Sequence, residues 1–550
     1  HGKAIEKSWN NQTTNGSKLY ETPNIDALAN ETIYFSNAYS AYPRCVPSRH
    51  AMISGRHPAR KGRTDGGATS LEIITIAEAM KTHGYGTYFA GKWHLGHDES
   101  TWPHHQGFDV NKGGCDSGAP ASYFFPFHDE TKTKNNVPYY GLEKGFKGEY
   151  ITDRLTDETI KYIEENNPNK TGKPFLTYLA HYAVHTPLQA KPDRIKYYKD
   201  KIKGLTFKEE PYVFGEDGRA KMWQDNAIYA AMVESMDESL GRIVAKLKEL
   251  EIYDNTIIIF TSDHGGLSNS GTESKRELAT TNKPLRAGKG HNYEGGIKVP
   301  VFVRWPGVVE KKSETKTIIT GMDYYPTILE MCGLPLQPEN HLDGVSFVPA
   351  LKGEKMNGHR QFFWHQTASR PTSTGDHNSS VIRQGNYKLH HFLDDDHIEL
   401  YDLKKDPNEK NNIAAESPEV VEKLERKLNK WKKEVGVSTV KKKKSNSKKS
   451  SELSIKNGNF EQGTKGWTAK GRKGTNAKLM LINDAADGKN AALVIVSEST
   501  GKLTSAMLVS NNFSKEIKDS FEISFMAKTD SKKKNVKLQV QFLDKEGNSY

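Results

Sequence analysis

The chain predicts an α/β fold: a mostly parallel sheet flanked by helices, then a small antiparallel C-terminal subdomain and an appended β-sandwich. Three observations carry this. Apolar runs of strand length alternate with runs of helical period as far as about residue 345. Polar residues crowd just after three of those strands, which is where ligands gather in such sheets. From about Gly344 the texture changes to short alternating strands between turn residues.

Thr22-Pro23-Asn24 opens a short helix, with Thr22 as cap and Pro23 at the first position, where no amide hydrogen is missed. Ile33-Tyr34-Phe35 leads on to Cys45-Val46-Pro47-Ser48-Arg49, a helix start with a thiol at its mouth, and Gly55 is placed to stop that helix. Unpaired N–H groups and the positive dipole end make such a mouth an anion site, and Arg49 adds a forked cation one turn on. Ile73, Ile76, Ala77 and Met80 repeat at helical spacing up to His83-Gly84. Tyr85 to Ala90 is a strand running into Gly91-Lys92-Trp93-His94-Leu95-Gly96, and Pro174 to Ala180 is another running into His181 and His185-Thr186-Pro187. A long helix is predicted from Trp223 to Leu250, with Ile228, Ala231, Met232, Met236, Leu240, Ile243 and Leu247 on one face. The apolar run Thr256 to Thr261 predicts a strand buried on both faces, ending in Ser262-Asp263-His264. A strand from Pro300 to Pro306 and a helix opening at Asp323-Tyr324-Tyr325 complete this part.

Val381 to Arg383, Tyr387 to His390 and Glu399 to Leu403 are the short strands of the antiparallel subdomain, closed by a charged helix from Pro418 to Val435. A Lys/Ser-rich linker follows. Beyond it Ala491 to Val496, Phe521 to Met526 and Val536 to Phe542 alternate as strands of a sandwich do. The expected domains are therefore 1–345, 346–436, linker 437–452, and a sandwich over 453–550 that is incomplete as it stands.

A chain of 550 residues needs more than one core. No apolar run reaches the roughly eighteen residues of a membrane span. The net charge of +11 favours an acidic partner: nucleic acid, anionic lipid or acidic polysaccharide. Part of that charge is the run Lys441 to Lys444 with Lys448 and Lys449, which reads as solvated linker. It lacks interleaved aromatics, and no nucleic-acid reading module is present, so nucleic acid is not expected. Three cysteines, Cys45, Cys115 and Cys332, are too few for a disulfide framework or a thiolate cluster, and pairing of Cys115 with Cys332 stays open. His97, His104 and His105 near His94 suggest zinc, but no thiolate or HExxH spacing supports it. Asp394-Asp395-Asp396 reads as a solvated turn, with contact to the substrate from the C-terminal subdomain as the alternative.

Taken singly, Cys45 is equally a buried structural cysteine or an ordinary thiol nucleophile, and a lysine or histidine after a strand is usually just solvated or satisfied. The ordered set says more. C-x-P-S-R at Cys45, G-K-W-H-L-G at Gly91, H-T-P at His185, T-S-D-H-G at Thr261, L-R-A-G-K-G at Leu285 with Y-E-G-G at Tyr293, and L-Y-D-L at Leu400 with Asp406-Pro407 occur in the order seen in type I sulfatases. The chain resembles that family, of the alkaline-phosphatase-like superfamily, and in particular bacterial polysaccharide sulfatases, over about residues 20 to 415.

The resemblance implies an alkaline-phosphatase-like sheet and a nucleophile, formylglycine, made from Cys45 by a maturation enzyme. Lys92, Lys289 and one calcium ion per site would focus positive charge on the sulfate oxygens. His185, with Lys289, would protonate the leaving alcohol, and His94 would take a proton from the hydrated aldehyde. Arg49 and Lys92 would hold the formylglycine oxygen. Cys45, Asp263 and His264 fall at metal positions, although imidazole suits calcium poorly and His264 is equally open to contact with the nucleophile. Two further aspartates of the metal site, with the family's first strand, are expected ahead of His1. Lys92, His181, His185, Lys289 and His291 are the candidate substrate-binding residues, with Trp102 beside them. The implied activity is hydrolysis of sulfate esters on a carbohydrate, a polysaccharide or its oligosaccharides. The alternatives are a phosphate or phosphonate ester hydrolase, or an inactive glycan-binding protein. The N-G-N-F-E opening at Asn457, with Gly466-Trp467, resembles carbohydrate-binding modules. An extracytoplasmic location, periplasmic or secreted, follows from family and substrate class.

Overall fold

The computed structural model describes residues 17–437, apart from 61–68, 130, 132–137, 208–209, 216–217, 272–273, 275 and 357–359, together with four strands beyond residue 466. The chain divides into two compact units, His1–Val440 and Lys441–Tyr550.

In the first unit α1 (Pro23–Ala29) leads to β1 (Ile33–Tyr39), and the Cys45 segment forms α2 (Cys45–Ser54). Gly55 ends α2 in left-handed backbone at φ 63°, a conformation that a Cβ disfavours. Next comes α3 (Ile76–Thr82), shorter than the periodicity from Ile73 suggested. The reason is a capping box: the Glu78 amide donates to Thr75 Oγ1 while the Thr75 amide donates to Glu78 Oε2. Then follow β2 (Gly86–Gly91), β3 (Val110–Lys112), α4 (Ile151–Glu165), β4 (Phe175–Ala180) and α5 (Pro192–Lys203). The hairpin β5 (Tyr212–Gly215) and β6 (Gly218–Lys221) precedes α6 (Ala227–Glu249). That long helix starts after Asn226, not at Trp223, because Asn226 Oδ1 accepts the Tyr229 amide at 2.9 Å. The layer is completed by β7 (Ile258–Thr261), β9 (Val301–Arg304), β10 (Ser313–Thr320) and α7 (Tyr324–Met331), while β8 (Asn269–Ser270) between β7 and β9 pairs antiparallel with β6.

The α/β class holds, with one reversal. β2 pairs in parallel with both β3 and β4, and β1 pairs in parallel with β10. β9, however, runs antiparallel to β1 and β7. The chain leaves β7 at the rim carrying Asp263 and re-enters β9 from that rim after Lys289, so the two strands must oppose. The expectation that β7 is buried on both faces fails: it is half-buried throughout, as is β4 up to Leu179. Among the described residues β4 and β7 each have one edge without a strand partner, and both line a single cavity of about 1110 Å³. The first strand expected from the resemblance lies outside the described residues.

The antiparallel subdomain has four strands: β11 (Gln361–Gln366), β12 (Ser379–Gln384), β13 (Tyr387–Phe392) and β14 (Ile398–Asp402). Helix α8 (Pro418–Glu434) lays Leu424, Leu428 and Trp431, one helical face, onto Ile382, Leu389 and Leu400. Trp431 stacks on Phe363 at 4.6 Å. In the second unit Trp467–Gly471 pairs with Ala506–Ser510 and Asn476–Ile482 with Ala491–Ser497, both antiparallel. The strands expected at Phe521 to Met526 and Val536 to Phe542 lie outside the described residues, as does the 438–452 stretch of the linker.

Cys115 and Cys332 are not paired; all three cysteines are free thiols. Cys115 is buried 3.9 Å from the Tyr182 hydroxyl, and burial pushes its thiol up to about 11, while Cys332 ends α7.

Candidate active site

Everything that converges on Cys45 comes from one rim of the layer. Cys45 is the first residue of α2, where free amides and the helix dipole favour an anion. Lys92 follows β2, His181 and His185 follow β4, Asp263 and His264 follow β7, and Lys289 sits on the return loop to β9. Lys92 Nζ lies 3.2 Å from Cys45 Sγ, Lys289 Nζ 3.5 Å, and His264 Nε2 3.2 Å. His185 Nδ1 hydrogen-bonds the Thr186 carbonyl at 2.8 Å, so it carries the ring hydrogen. His185 Nε2 is then the acceptor that meets Lys289 Nζ at 3.1 Å.

Arg49 is placed differently from expectation. Its Nε and Nη2 both meet Asp263 Oδ2 at 2.9 Å, and its Nη1 donates to the Lys92 carbonyl at 2.7 Å. Its fork therefore braces two strand ends against each other rather than reaching the Cys45 sulfur. Ser48 adds a hydrogen bond to the Asp263 carbonyl at 2.5 Å.

The charges set the protonation states. Burial raises the Cys45 thiol, but Lys289, Lys92 and His264 outweigh it and hold its pKa well below the ordinary thiol value. Burial raises Asp263 too, and His264 and Arg49 overturn that, so it stays ionised. Burial, aided by Lys92 and Lys289, takes His185 down to about 3, so this imidazole is neutral. Burial lowers His94, which sits in left-handed backbone at φ 59° against Cys45, and its Nδ1 has no partner among the described residues. Burial alone takes His181 down to about 4; its Nε2 meets Ser239 Oγ at 2.9 Å on the cavity wall.

Two candidates lie away from the cavity wall. His291 is 4 % exposed, and its Nε2 meets Asn269 Nδ2 at 2.7 Å and the Thr374 carbonyl at 2.9 Å, so it fastens a loop instead of lining the pocket. Trp102 packs into the cores on both faces of β2. Two features escaped the sequence. Arg276 lines the cavity with Cys45, His185 and Lys289. Arg44, next to Cys45, donates to Asp376 Oδ2 at 2.5 Å and ties a distant loop to the start of α2. No periodicity or spacing marks either arginine.

Cys45, Asp263 and His264 bring one donor atom each within 4.8 Å of one another. The trio holds a single carboxylate, already engaged by Arg49, whereas calcium takes about six to eight oxygens. The described residues thus do not make a calcium site by themselves.

Comparison with known proteins bears on what this rim does. A family model described as Sulfatase matches residues 6–334, and a second, N-sulphoglucosamine sulphohydrolase C-terminal, matches residues 288–434. The chain belongs to the sulfatase family. It is a hydrolase of sulfuric esters, and its substrate carries a sulfate group. This sulfatase is 29% identical over 451 residues to the uncharacterized sulfatase YdeN of Escherichia coli (strain K12), covering 74% of this chain and 75% of that protein. It is 28% identical over 460 residues to human N-acetylgalactosamine-6-sulfatase, covering 76% of this chain and 82% of that one. Among solved structures, Ps i-CgsB superposes with a TM-score of 0.62 at 28% identity, covering 78% of this chain and 90% of that one, and it is also known in complex with k-i-k-neocarrahexaose. No helix among the described residues of the sulfatase is long and apolar enough to cross a membrane.

Proposed function

We propose that this sulfatase hydrolyses sulfate esters of a carbohydrate, a polysaccharide or its oligosaccharides, with Cys45 converted to formylglycine. One observation carries the reading: two ammonium groups, Lys92 and Lys289, point at one sulfur atom on the anion-binding end of a helix. A cation-lined hole around a single side chain suits a nucleophile that must meet an anionic ester. The carbohydrate part rests on the named relatives and on the net charge of +11.

Formylglycine supplies, once hydrated, an oxygen nucleophile in place of the thiol. Around it Lys92 and Lys289 hold the sulfate oxygens, replacing the thiolate they now face. His94, neutral and against Cys45, accepts a proton. Lys289 holds the proton destined for the leaving oxygen and presents it to His185 Nε2. In the free enzyme His185 is a poor acid; a bound sulfate ester brings negative charge that raises its pKa and draws the proton across. Arg49 keeps Asp263 and the Lys92 backbone in register. Among the described residues the donor set for calcium is incomplete, and no step runs through it.

On this reading the protein's partners are a sulfated saccharide and the enzyme that oxidises Cys45. A polymeric substrate puts its work outside the cytoplasm, and residues 453–550 serve as a glycan-binding module. The intact mass of the mature protein tests the nucleophile: conversion exchanges one sulfur and two hydrogens for one oxygen. An unconverted thiol in an active preparation overturns it. Turnover of an aryl sulfate well above the matching aryl phosphate separates this enzyme from a phosphate or phosphonate ester hydrolase.

A further inference from the structure

His185, which the proposed chemistry uses to pass a proton to the leaving oxygen, stands on a turn just past β4. It closes that turn by donating its own amide to the Tyr182 carbonyl at 3.0 Å. Its ring is tied to neighbouring backbone, through Nδ1 and the Thr186 carbonyl at 2.8 Å. An imidazole tied in this way is placed no better than the turn beneath it. Yet Nε2 has to stay within reach of Lys289 Nζ, 3.1 Å away, for a proton to pass. Something must therefore hold the turn.

A side chain from the connection between β3 and α4 clasps it. The Tyr123 hydroxyl lies 2.7 Å from the Tyr182 carbonyl and 2.8 Å from that of His185, bridging the first and last residues of the turn. A phenol has one hydrogen to give, and either carbonyl can take it. Tyr123 is fully buried and is itself fastened on both sides. Its amide donates to Gln189 Oε1 at 2.7 Å, and its carbonyl accepts the Ile151 amide, the first of α4, at 2.8 Å. Its ring stacks on Tyr150, whose hydroxyl donates to the Gln189 carbonyl at 2.9 Å. One residue thus grips the turn with its hydroxyl and the segment just past Pro187 with its backbone. We infer that Tyr123 is a positioning residue for His185, its hydroxyl setting the turn from which His185 Nε2 meets Lys289 and the leaving oxygen. This rests on the proton-transfer reading of His185 above and deepens it.

Packing and placement are separate tasks here. The core beside β4 needs the Tyr123 ring, which belongs to a cluster with Tyr139, Tyr150 and Tyr182. It does not need the hydroxyl. Tyr182, on the same turn, already gives its own hydroxyl to the Gly113 carbonyl at 2.9 Å, which anchors the side chain of the turn to the end of β3. The Tyr123 hydroxyl is spent instead on the backbone of the turn, at the residue that carries the acid. Without it the His185 carbonyl faces a ring carbon, and the turn is free to move toward another donor.

Tyr123→Phe keeps the ring and removes the hydroxyl. The test reads it on aryl sulfates graded in leaving-group acidity, from nitrophenyl sulfate to phenyl sulfate. A poor leaving group needs the proton and a good one does not, so a displaced His185 shows as a steeper dependence of kcat on the leaving group. The expected loss in kcat is about tenfold on phenyl sulfate and within about twofold on nitrophenyl sulfate, with KM nearly unchanged. Gln189→Leu loosens the same clasp from its other side and should give the same pattern more weakly; it carries the test alone if Tyr123→Phe does not fold. In a His185→Ala background Tyr123→Phe should add nothing, since the group it places is gone. Equal losses on both substrates, wild-type kinetics on phenyl sulfate, or a loss that survives in the His185→Ala background overturns the inference. If His185→Ala itself slows both substrates alike, the failure comes earlier, at the proton-transfer reading, and the positioning role falls with it.

Discussion

Two charge clusters in this molecule are built on opposite plans, one sealed in the interior and one on a cavity wall. In the one between β13 and the Glu294 turn, Lys388 Nζ lies 3.0 Å from Glu294 and 2.9 Å from Glu409. Glu409 also takes His390 and the Glu294 amide, and Tyr39 donates to Glu294. Every charge there has an opposite beside it. Around Cys45, by contrast, Lys92 and Lys289 share one sulfur, and the next neighbour of Lys289 is a neutral imidazole. The first cluster is sealed, while the second faces the cavity, with Lys289 and His185 half-buried, and its compensation is the poorer of the two. A cluster complete in itself holds the fold together, whereas one short of an anion is arranged to receive one.

The sharpest way to break that contrast is to remove the group the lysines surround. Cys45→Ala should lower aryl sulfate turnover by at least about 10⁴-fold, since it removes the side chain that both lysines surround. Turnover within a hundredth of wild type would sink the assignment. In the balanced cluster Lys388→Met leaves Glu294 and Glu409 face to face and buried, which should cost about 3–5 kcal/mol of stability. Urea unfolding measures it. The folded fraction should keep its kcat within a few-fold, so a large kcat loss in well-folded protein would erase the distinction between the clusters.

Removing one of the two site lysines should act the other way round. Lys92→Ala or Lys289→Ala should lower kcat by about 10²–10³-fold, the scale for losing one donor to a developing charge. Thermal stability should hold or rise, because like charges are relieved. The two variants should also differ. If Lys289 supplies the leaving-group proton, its loss is milder on a nitrophenyl sulfate than on a sugar sulfate, while loss of Lys92 is blind to the leaving group. Identical leaving-group profiles would remove Lys289 from the proton path.

How much of this was legible depends on how local the information is. Lys92, His185 and Asp263 could be read because each follows an apolar run within a few residues, and strand ends in an α/β layer share a rim. Tertiary contacts decided the rest. The reversal of β9 follows from re-entry at the rim, not from composition. The pairing of Arg49 with Asp263 joins residues from α2 and from beyond β7. The turn at Pro371 to Ser373 and the segment at Gly271 touch only because Gly271 has no side chain. α3 and α6 start late through a capping box and an asparagine cap, side-chain hydrogen bonds that hydrophobic period does not register.

Two histidines carry the comparison of clusters into acid. His365, 5 % exposed in the antiparallel subdomain, is taken down to about 4 by burial and by Lys432, and His185 is taken down to about 3 by burial and the site lysines. Unfolded, each titrates near the ordinary value of about 6.5. Between that pH and the folded value the unfolded chain binds a proton that the folded chain refuses. Stability is therefore full above about pH 6.5 and falls on acidification, by about 1.4 kcal/mol per pH unit for each histidine. The two should part company when sulfate is added. An anion seated between Lys92 and Lys289 raises the folded pKa of His185, narrows its gap and flattens its share of the slope, while His365, with Ser380 Oγ at 2.8 Å, is out of reach. His365→Gln should remove the other share whether or not sulfate is present. Unfolding followed from pH 7 to pH 5, with and without sulfate, reads both; a slope that sulfate leaves unchanged would mean that the lysines around Cys45 are not waiting for an anion.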